Sequence, residues 1–149
     1  MKAEAYLPQG FMERIQEVGL VIPSWAPQVA VLRHPSTGGF LSHCGWNSTL
    51  ESISHGVPMI AWPLYAEQRM NATMLTEEVG VAARPVVGEG KNVVEREEIE
   101  RVVMEGEEGK EMRRRVRELQ SSALATLKPG GPSFESLSEV AGTWTTTAH

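Results

Sequence analysis

Residues Trp25 to Gln68 read WAPQVAVLRHPSTGGFLSHCGWNSTLESISHGVPMIAWPLYAEQ, and this stretch decides the fold. At its centre Gly39-Phe40-Leu41-Ser42 has the short apolar character of a strand. The chain then passes His43-Cys44 into a helix predicted over Gly45 to His55 and closed by Gly56. Met59-Ile60-Ala61-Trp62 is the next strand, and Pro27 to Leu32 is a short helix with proline in its first turn. Outward from this core the same alternation continues. Toward the N-terminus, Phe11, Ile15 and Val18 recur at helical spacing before Gly19, and Leu20-Val21-Ile22 reads as a buried strand. Toward the C-terminus, Ala66 to Val79 is a helix ended by Gly80, and Val81-Ala82-Ala83 is a last short strand. Short apolar strands alternating with helices pair in parallel, because only a crossover through a helix returns the chain in the same direction. The expectation is an α/β fold with a Rossmann-like parallel sheet and flanking helices.

Bulk properties narrow the function. A chain of 149 residues, 41% hydrophobic, is long enough to bury a core. A formal charge of −5 argues against nucleic acid or an anionic membrane as partner. No apolar run approaches the roughly 18 residues of a membrane span, the N-terminal residues lack a signal-peptide layout, and the single cysteine, Cys44, closes no internal disulfide. A cytoplasmic monomer acting on small molecules is expected. All 19 acidic residues are glutamates, so an Asp-x-Asp metal site, a Ser-His-Asp triad and an EF-hand loop are excluded within the chain. Histidines at 34, 43, 55 and 149 do not form a zinc spacing, and neither metal nor cofactor is expected.

Residues 1–86 form the sheet-bearing part in this reading, and residues 87–149 the peripheral helices of the same domain. A loop over Val87 to Asn92 precedes helices predicted at Glu95 to Glu105 and Glu107 to Leu127, with a short terminal helix near Ser133 to Val140 and a polar tail. In the second of these, Met112, Val116, Leu119, Ala123 and Leu127 form one apolar stripe, leaving Arg113, Arg114, Arg115 and Arg117 largely off it. Those arginines are read as a solvated face answering nearby glutamates, in preference to a phosphate patch.

The junction Ser42-His43-Cys44-Gly45-Trp46-Asn47-Ser48 has the outline of an anion site. The first turn of a helix leaves about four N–H groups unpaired and carries roughly half a positive charge, enough to hold a diphosphate. Gly45 permits close backbone approach, and His43 stands at the carboxyl end of a strand, where open α/β sheets bind ligands. Ordinary capping explains the same Asn and Ser equally well. Neighbouring residues on a strand face opposite ways, so a Cys44–His43 nucleophile pair is disfavoured and Cys44 is read as a buried thiol. Met59 and Trp62 are assigned to the core, and His34 and His55 to helix ends.

Beyond the junction, Trp25-Ala-Pro-Gln28, His43-Cys-Gly-Trp-Asn-Ser48, Glu51, Gly56-Val-Pro58 and Glu67-Gln68 together resemble the signature box of plant secondary-product UDP-glycosyltransferases, over the same span. Tyr65-Ala-Glu-Gln68, Met70-Asn71-Ala72 and Val81-Ala-Ala-Arg-Pro85 extend the resemblance to the branch that contains hydroquinone glucosyltransferase. The resemblance implies a UDP-glucose donor. Trp25 would stack on the uracil, Ala26 and Gln28 would contact base and ribose, and Glu51 would accept from the ribose hydroxyls. His43, Gly45, Asn47 and Ser48 would hold the diphosphate, and Trp46, Glu67 and Gln68 the sugar. Members usually carry aspartate where this chain has Glu67, which reaches one methylene further. Gln68 resembles glucose users, where histidine is associated with galactose.

The fold implied is the incomplete C-terminal domain of a GT-B enzyme. In that family an inverting reaction relies on a histidine, oriented by an aspartate, of the N-terminal domain, so no catalytic residue is assigned here. The implied activity is glucosylation of small phenolic acceptors; the alternative is a nucleotide-binding fragment without turnover. A nicotinamide-dependent oxidoreductase is disfavoured, since the chain has no Gly-x-Gly-x-x-Gly.

Overall fold

The computed structural model describes residues 6–88, 93–103 and 107–146. Its sheet has three parallel strands in the order β1 (Phe40–Ser42), β2 (Met59–Ala61), β3 (Ala82–Ala83). Phe40 stands opposite Met59, and Met59 opposite Ala82. Helix α3 (Trp46–Ser54) carries the chain from β1 to β2. From β2 to β3 the carrier is α4 (Gln68–Thr73), prolonged by a π-helical turn at Met74–Glu78. The Rossmann-like parallel arrangement expected from the sequence is thus present. Among the described residues no helix is long and apolar enough to cross a membrane.

The core is built where the alternating pattern placed it. Met59 and Ala61 of β2 are buried with Ala72, Leu75, Val81 and Cys44, while Trp62, just past the strand, is half-buried. Each fully buried Met, Leu or Val side chain contributes about 1.5–3 kcal/mol. Helix α6 (Glu107–Thr126) packs across α3 and sends Val116 into the same cluster, with Met112 and half-buried Leu119 beside it. Its stripe fades at the far end, where Leu127 is exposed. The docking is specific: the Gln120 side-chain amide donates to the Ser54 carbonyl at 3.1 Å, at the C-terminal end of α3. That carboxamide lies over Gly56, where the chain turns with φ +69° and any side chain would collide with it.

Several boundaries differ from the sequence expectation. Leu20-Val21-Ile22 is not a strand, and Leu20 is 83% exposed. A three-residue apolar run becomes a strand only where a neighbour satisfies its backbone, and the outer edge of β1 pairs with no described strand. The first helix, α1, covers only Phe11–Ile15, because Val18 and Gly19 both donate to the Ile15 carbonyl and close it. The helix expected over Ala66 to Val79 starts at Gln68, since Ala66 has φ +52°. It widens into the π turn as Val79 donates to Met74 and Val81 to Leu75. Helix α2 is Gln28–Arg33 and α5 is Arg96–Val103. Helix α7 (Pro132–Thr146) runs further than the expected Ser133 to Val140. The loop expected at 87–92, the end of the helix expected to reach Glu105, and the tail past 146 lie partly or wholly outside the described residues.

Electrostatics on α6 follow the solvated-face reading. Arg114 pairs with Glu111 and Glu118, Arg115 with Glu111 at 2.8 Å, and Lys110 with Glu107 at 2.7 Å. The two arginines hold the Glu111 carboxyl down to about 2. All are exposed pairs at helical i,i+3 or i,i+4 spacing, individually worth little.

Candidate functional site

The β1–α3 junction is sharper than a strand running into a helix. Cys44, a non-glycine residue, has φ +64°, a left-handed conformation that costs about 1–2 kcal/mol for an ordinary side chain. It is held there on both sides. Its N–H donates to the Ser42 Oγ at 3.1 Å, and its carbonyl accepts from the Asn71 side-chain amide at 3.0 Å. The thiol is fully buried, and burial pushes it above its ordinary pKa, so the buried-thiol reading stands.

This reversal separates His43 from Cys44. The His43 side chain is exposed and folds back over Gly45, so that a Cβ at position 45 would overlap the imidazole. Gly45 then caps α3 with extended backbone, and no side chain caps the first turn. Thr49 donates back to the Gly45 carbonyl, while the amides of Trp46, Asn47 and Ser48 are left at the open end of the helix beside His43. Open N–H groups and a nearby imidazole are the requirements for holding a diphosphate.

A second group forms where α2 meets α3. The Gln28 amide donates to Glu51 Oε2 at 2.7 Å and to Ser48 Oγ at 3.1 Å. This fixes the Glu51 carboxylate in a half-buried place with its remaining lone pairs available as acceptors. A groove of about 990 Å³ runs along α2, lined among others by Trp25, Ala26, Gln28, Phe40 and Glu51. Trp25 is 80% exposed and offers a flat apolar face there.

The third group sits at the start of α4. Glu67 is exposed, following left-handed Ala66, whereas Gln68 is only 4% exposed. Gln68 Oε1 accepts from the N–H groups of Leu64 and Tyr65 at 3.0 and 3.1 Å. Its carbonyl end is therefore spent on the loop, and its NH₂ is the end left to meet a ligand. Trp46, half exposed, is the first residue of α3. The structure joins Gln28, Ser48 and Glu51 by hydrogen bonds, stacks His43 on Gly45, and links the His43–Gly45 turn to the Gln68 helix through Asn71. Trp25, Trp46, Asn47 and Glu67 stand exposed without direct bonds to these groups among the described contacts. The sequence places Asn71 and Ser42 within the quoted motifs, but neither side chain is given a role there. One signal was present, since Gln68 and Asn71 are three apart and so share a helix face. His34 accepts from the Ser36 N–H, and the His55 ring meets the Glu51 carbonyl at 2.7 Å, both at helix ends as expected.

The family model described as UDP-glucoronosyl and UDP-glucosyl transferase matches residues 13–96, more than half of the chain. The chain belongs to this family. As a UDP-glycosyltransferase-family chain it is 60% identical, over 93% of its length, to anthocyanidin 3-O-glucosyltransferase 5 of Manihot esculenta, covering 29% of that protein. It is 54% identical to hydroquinone glucosyltransferase of Rauvolfia serpentina, covering 95% of itself and 31% of that relative. Among solved structures it is similar to Phytolacca americana UGT2 complexed with UDP-2fluoro-glucose and pterostilbene, with TM-score 0.87, 56% identity, and coverage of 95% of this chain and 32% of that one. It is likewise similar to TcCGT1 in complex with UDP, with TM-score 0.86, 59% identity, and coverage of 96% and 31%. The UDP-glycosyltransferase-family chain thus spans about a third of the length of these relatives, and its parallel sheet with flanking helices is that part of their GT-B fold.

Proposed function

We propose that this chain is the UDP-glucose-binding part of an inverting glucosyltransferase that acts on hydroxyl groups of small phenolic plant metabolites. The observation that carries the reading is the uncapped N-terminus of α3, reached through left-handed Cys44, with His43 folded over Gly45 beside it. Trp25 would stack on the uracil, with Ala26 and Gln28 at base and ribose. Glu51, already oriented by Gln28, would accept from the ribose hydroxyls. The diphosphate would lie against His43, the Gly45 backbone, Asn47 and Ser48, and the sugar against Trp46, Glu67 and the Gln68 amide.

In this arrangement the chain's chemical contribution is to the leaving group. As the bond between sugar and diphosphate breaks, negative charge grows on the phosphate oxygens. Fixed N–H dipoles and the imidazole stabilise that charge more than they stabilise the bound donor. Removal of the acceptor's proton is assigned to the N-terminal domain that the family resemblance implies. The phenolic acceptor is supported by the 54% identity to hydroquinone glucosyltransferase and by the structural relative complexed with pterostilbene. The full protein is proposed to act in the cytoplasm as a monomer, without a metal or cofactor.

A calorimetric titration of UDP, UDP-glucose and NAD tests the reading, with the two uridine ligands expected to bind and NAD not. Binding of NAD alone would overturn it. Taken by itself, the 149-residue chain is expected to bind donor without turnover, so measurable transfer to hydroquinone by it would contradict the division of labour proposed here.

A further inference from the structure

Asn71 lies outside every group assigned to the donor, yet it is the residue that ties α4 to the diphosphate turn. It is 6% exposed, and its amide donates to the Cys44 carbonyl at 3.0 Å across 27 residues of sequence. The Cys44 peptide is therefore gripped on its two sides by different elements, Ser42 Oγ at the end of β1 and Asn71 on α4. Cysteine gains nothing locally from a φ of +64°, so without those bonds the residue would relax toward extended backbone. Relaxation would rotate both neighbours. His43 would leave its place over Gly45, and the first turn of α3 would tilt away from the direction it now presents.

We infer that Asn71 is a positioning residue for diphosphate recognition: it holds Cys44 left-handed, and through Cys44 sets His43 and the open amides of α3, without itself touching the ligand. The inference rests on the donor-binding reading proposed above. Uridine, which carries the base and ribose without phosphate, separates this role from a general loss of structure, because the Gln28–Glu51 pair proposed for the ribose lies beyond the first turn of α3 and shares no bond with Asn71.

The test measures UDP and uridine affinity in the full protein that carries this chain. Asn71→Ala is expected to weaken UDP about ten- to a hundred-fold, the scale of one lost buried hydrogen bond plus released backbone strain, while uridine affinity stays within about two-fold. Glycine occupies left-handed backbone without a clamp, so adding Cys44→Gly to Asn71→Ala is expected to recover most of the UDP affinity. Asn71→Leu nearly keeps the volume, removes the amide donor without adding a charge, and serves if the alanine variant does not fold; it is expected to reproduce the selective loss. Equal weakening of UDP and uridine, unchanged UDP affinity, or failure of glycine at 44 to rescue would each overturn the assignment. Wild-type protein that binds uridine but gains nothing from the diphosphate would instead overturn the donor reading itself.

Discussion

Replacing Gln68 by histidine tests how the sugar is read, and the structure sets the size of the effect. Gln68 is buried, and its carbonyl oxygen accepts two backbone N–H groups, from Leu64 and Tyr65. An imidazole has one acceptor nitrogen in its neutral form, so at least one of those bonds is lost, a change of about 0.5–1.5 kcal/mol in stability. The free NH₂, proposed to donate to a glucose hydroxyl, disappears as well. A donor–acceptor pair broken with one partner left buried is worth about 1–3 kcal/mol, or roughly ten- to a hundred-fold in selectivity. The assay is the ratio of kcat/KM for UDP-glucose and UDP-galactose with one acceptor, in wild type and Gln68→His. The ratio is expected to shift toward galactose by that factor, accompanied by a lower melting temperature. A lowered melting temperature with an unchanged ratio would show that Gln68 only braces the loop at 64–65, and would refute its role toward the sugar.

Gly45→Ala places a methyl group in the His43 imidazole at a backbone position where alanine is otherwise unstrained. It is expected to weaken UDP about ten-fold through displacement of His43, with denaturant midpoint nearly unchanged, as read by titration and urea unfolding. Leu75→Ala empties a fully buried site under the sheet and is expected to cost about 2–5 kcal/mol in urea unfolding; a loss under 1 kcal/mol would mean the core is elsewhere. The Glu98 carboxyl is held down to about 2, first by the Arg101 guanidinium that grips it through two 2.8 Å bonds and then by the Val86 N–H at 2.7 Å. Because this pKa is depressed, the tether between α5 and the loop after β3 is complete above the ordinary glutamate value and is lost as pH falls from about 4.5 toward 2. Carboxyl NMR titration is expected to show Glu98 titrating well below the ordinary glutamate value and moving up in Arg101→Ala; an ordinary value in the native chain would contradict the tether.

The alternation of apolar runs and amphipathic stretches from Phe40 to Ala83 was legible because its cause is local. Short strands of a parallel sheet are predominantly apolar, and the linking helices show period 3.6. The candidate site residues were named on a different ground, residue types at fixed spacing, which a sequence displays whatever their geometry. Leu20-Val21-Ile22 misled because strand formation depends on a partner that its own residues do not specify. The left-handed turns at Cys44 and Ala66 were invisible, as neither residue type favours positive φ.

The sequence by itself determined the fold class, the family and which residue types stand at the candidate donor site. Tertiary structure alone decided how they are oriented. Only packing of α4 against the end of β1 brings Asn71 to Cys44, only the approach of α2 to α3 lets Gln28 aim Glu51, and only the loop at 64–65 turns the Gln68 carbonyl inward. The physical reason is the same in each case. A side chain's hydrogen-bonding capacity is set by its chemistry, but which partner uses that capacity is settled by long-range contacts, because a buried donor or acceptor must be satisfied by whatever group the fold brings to it.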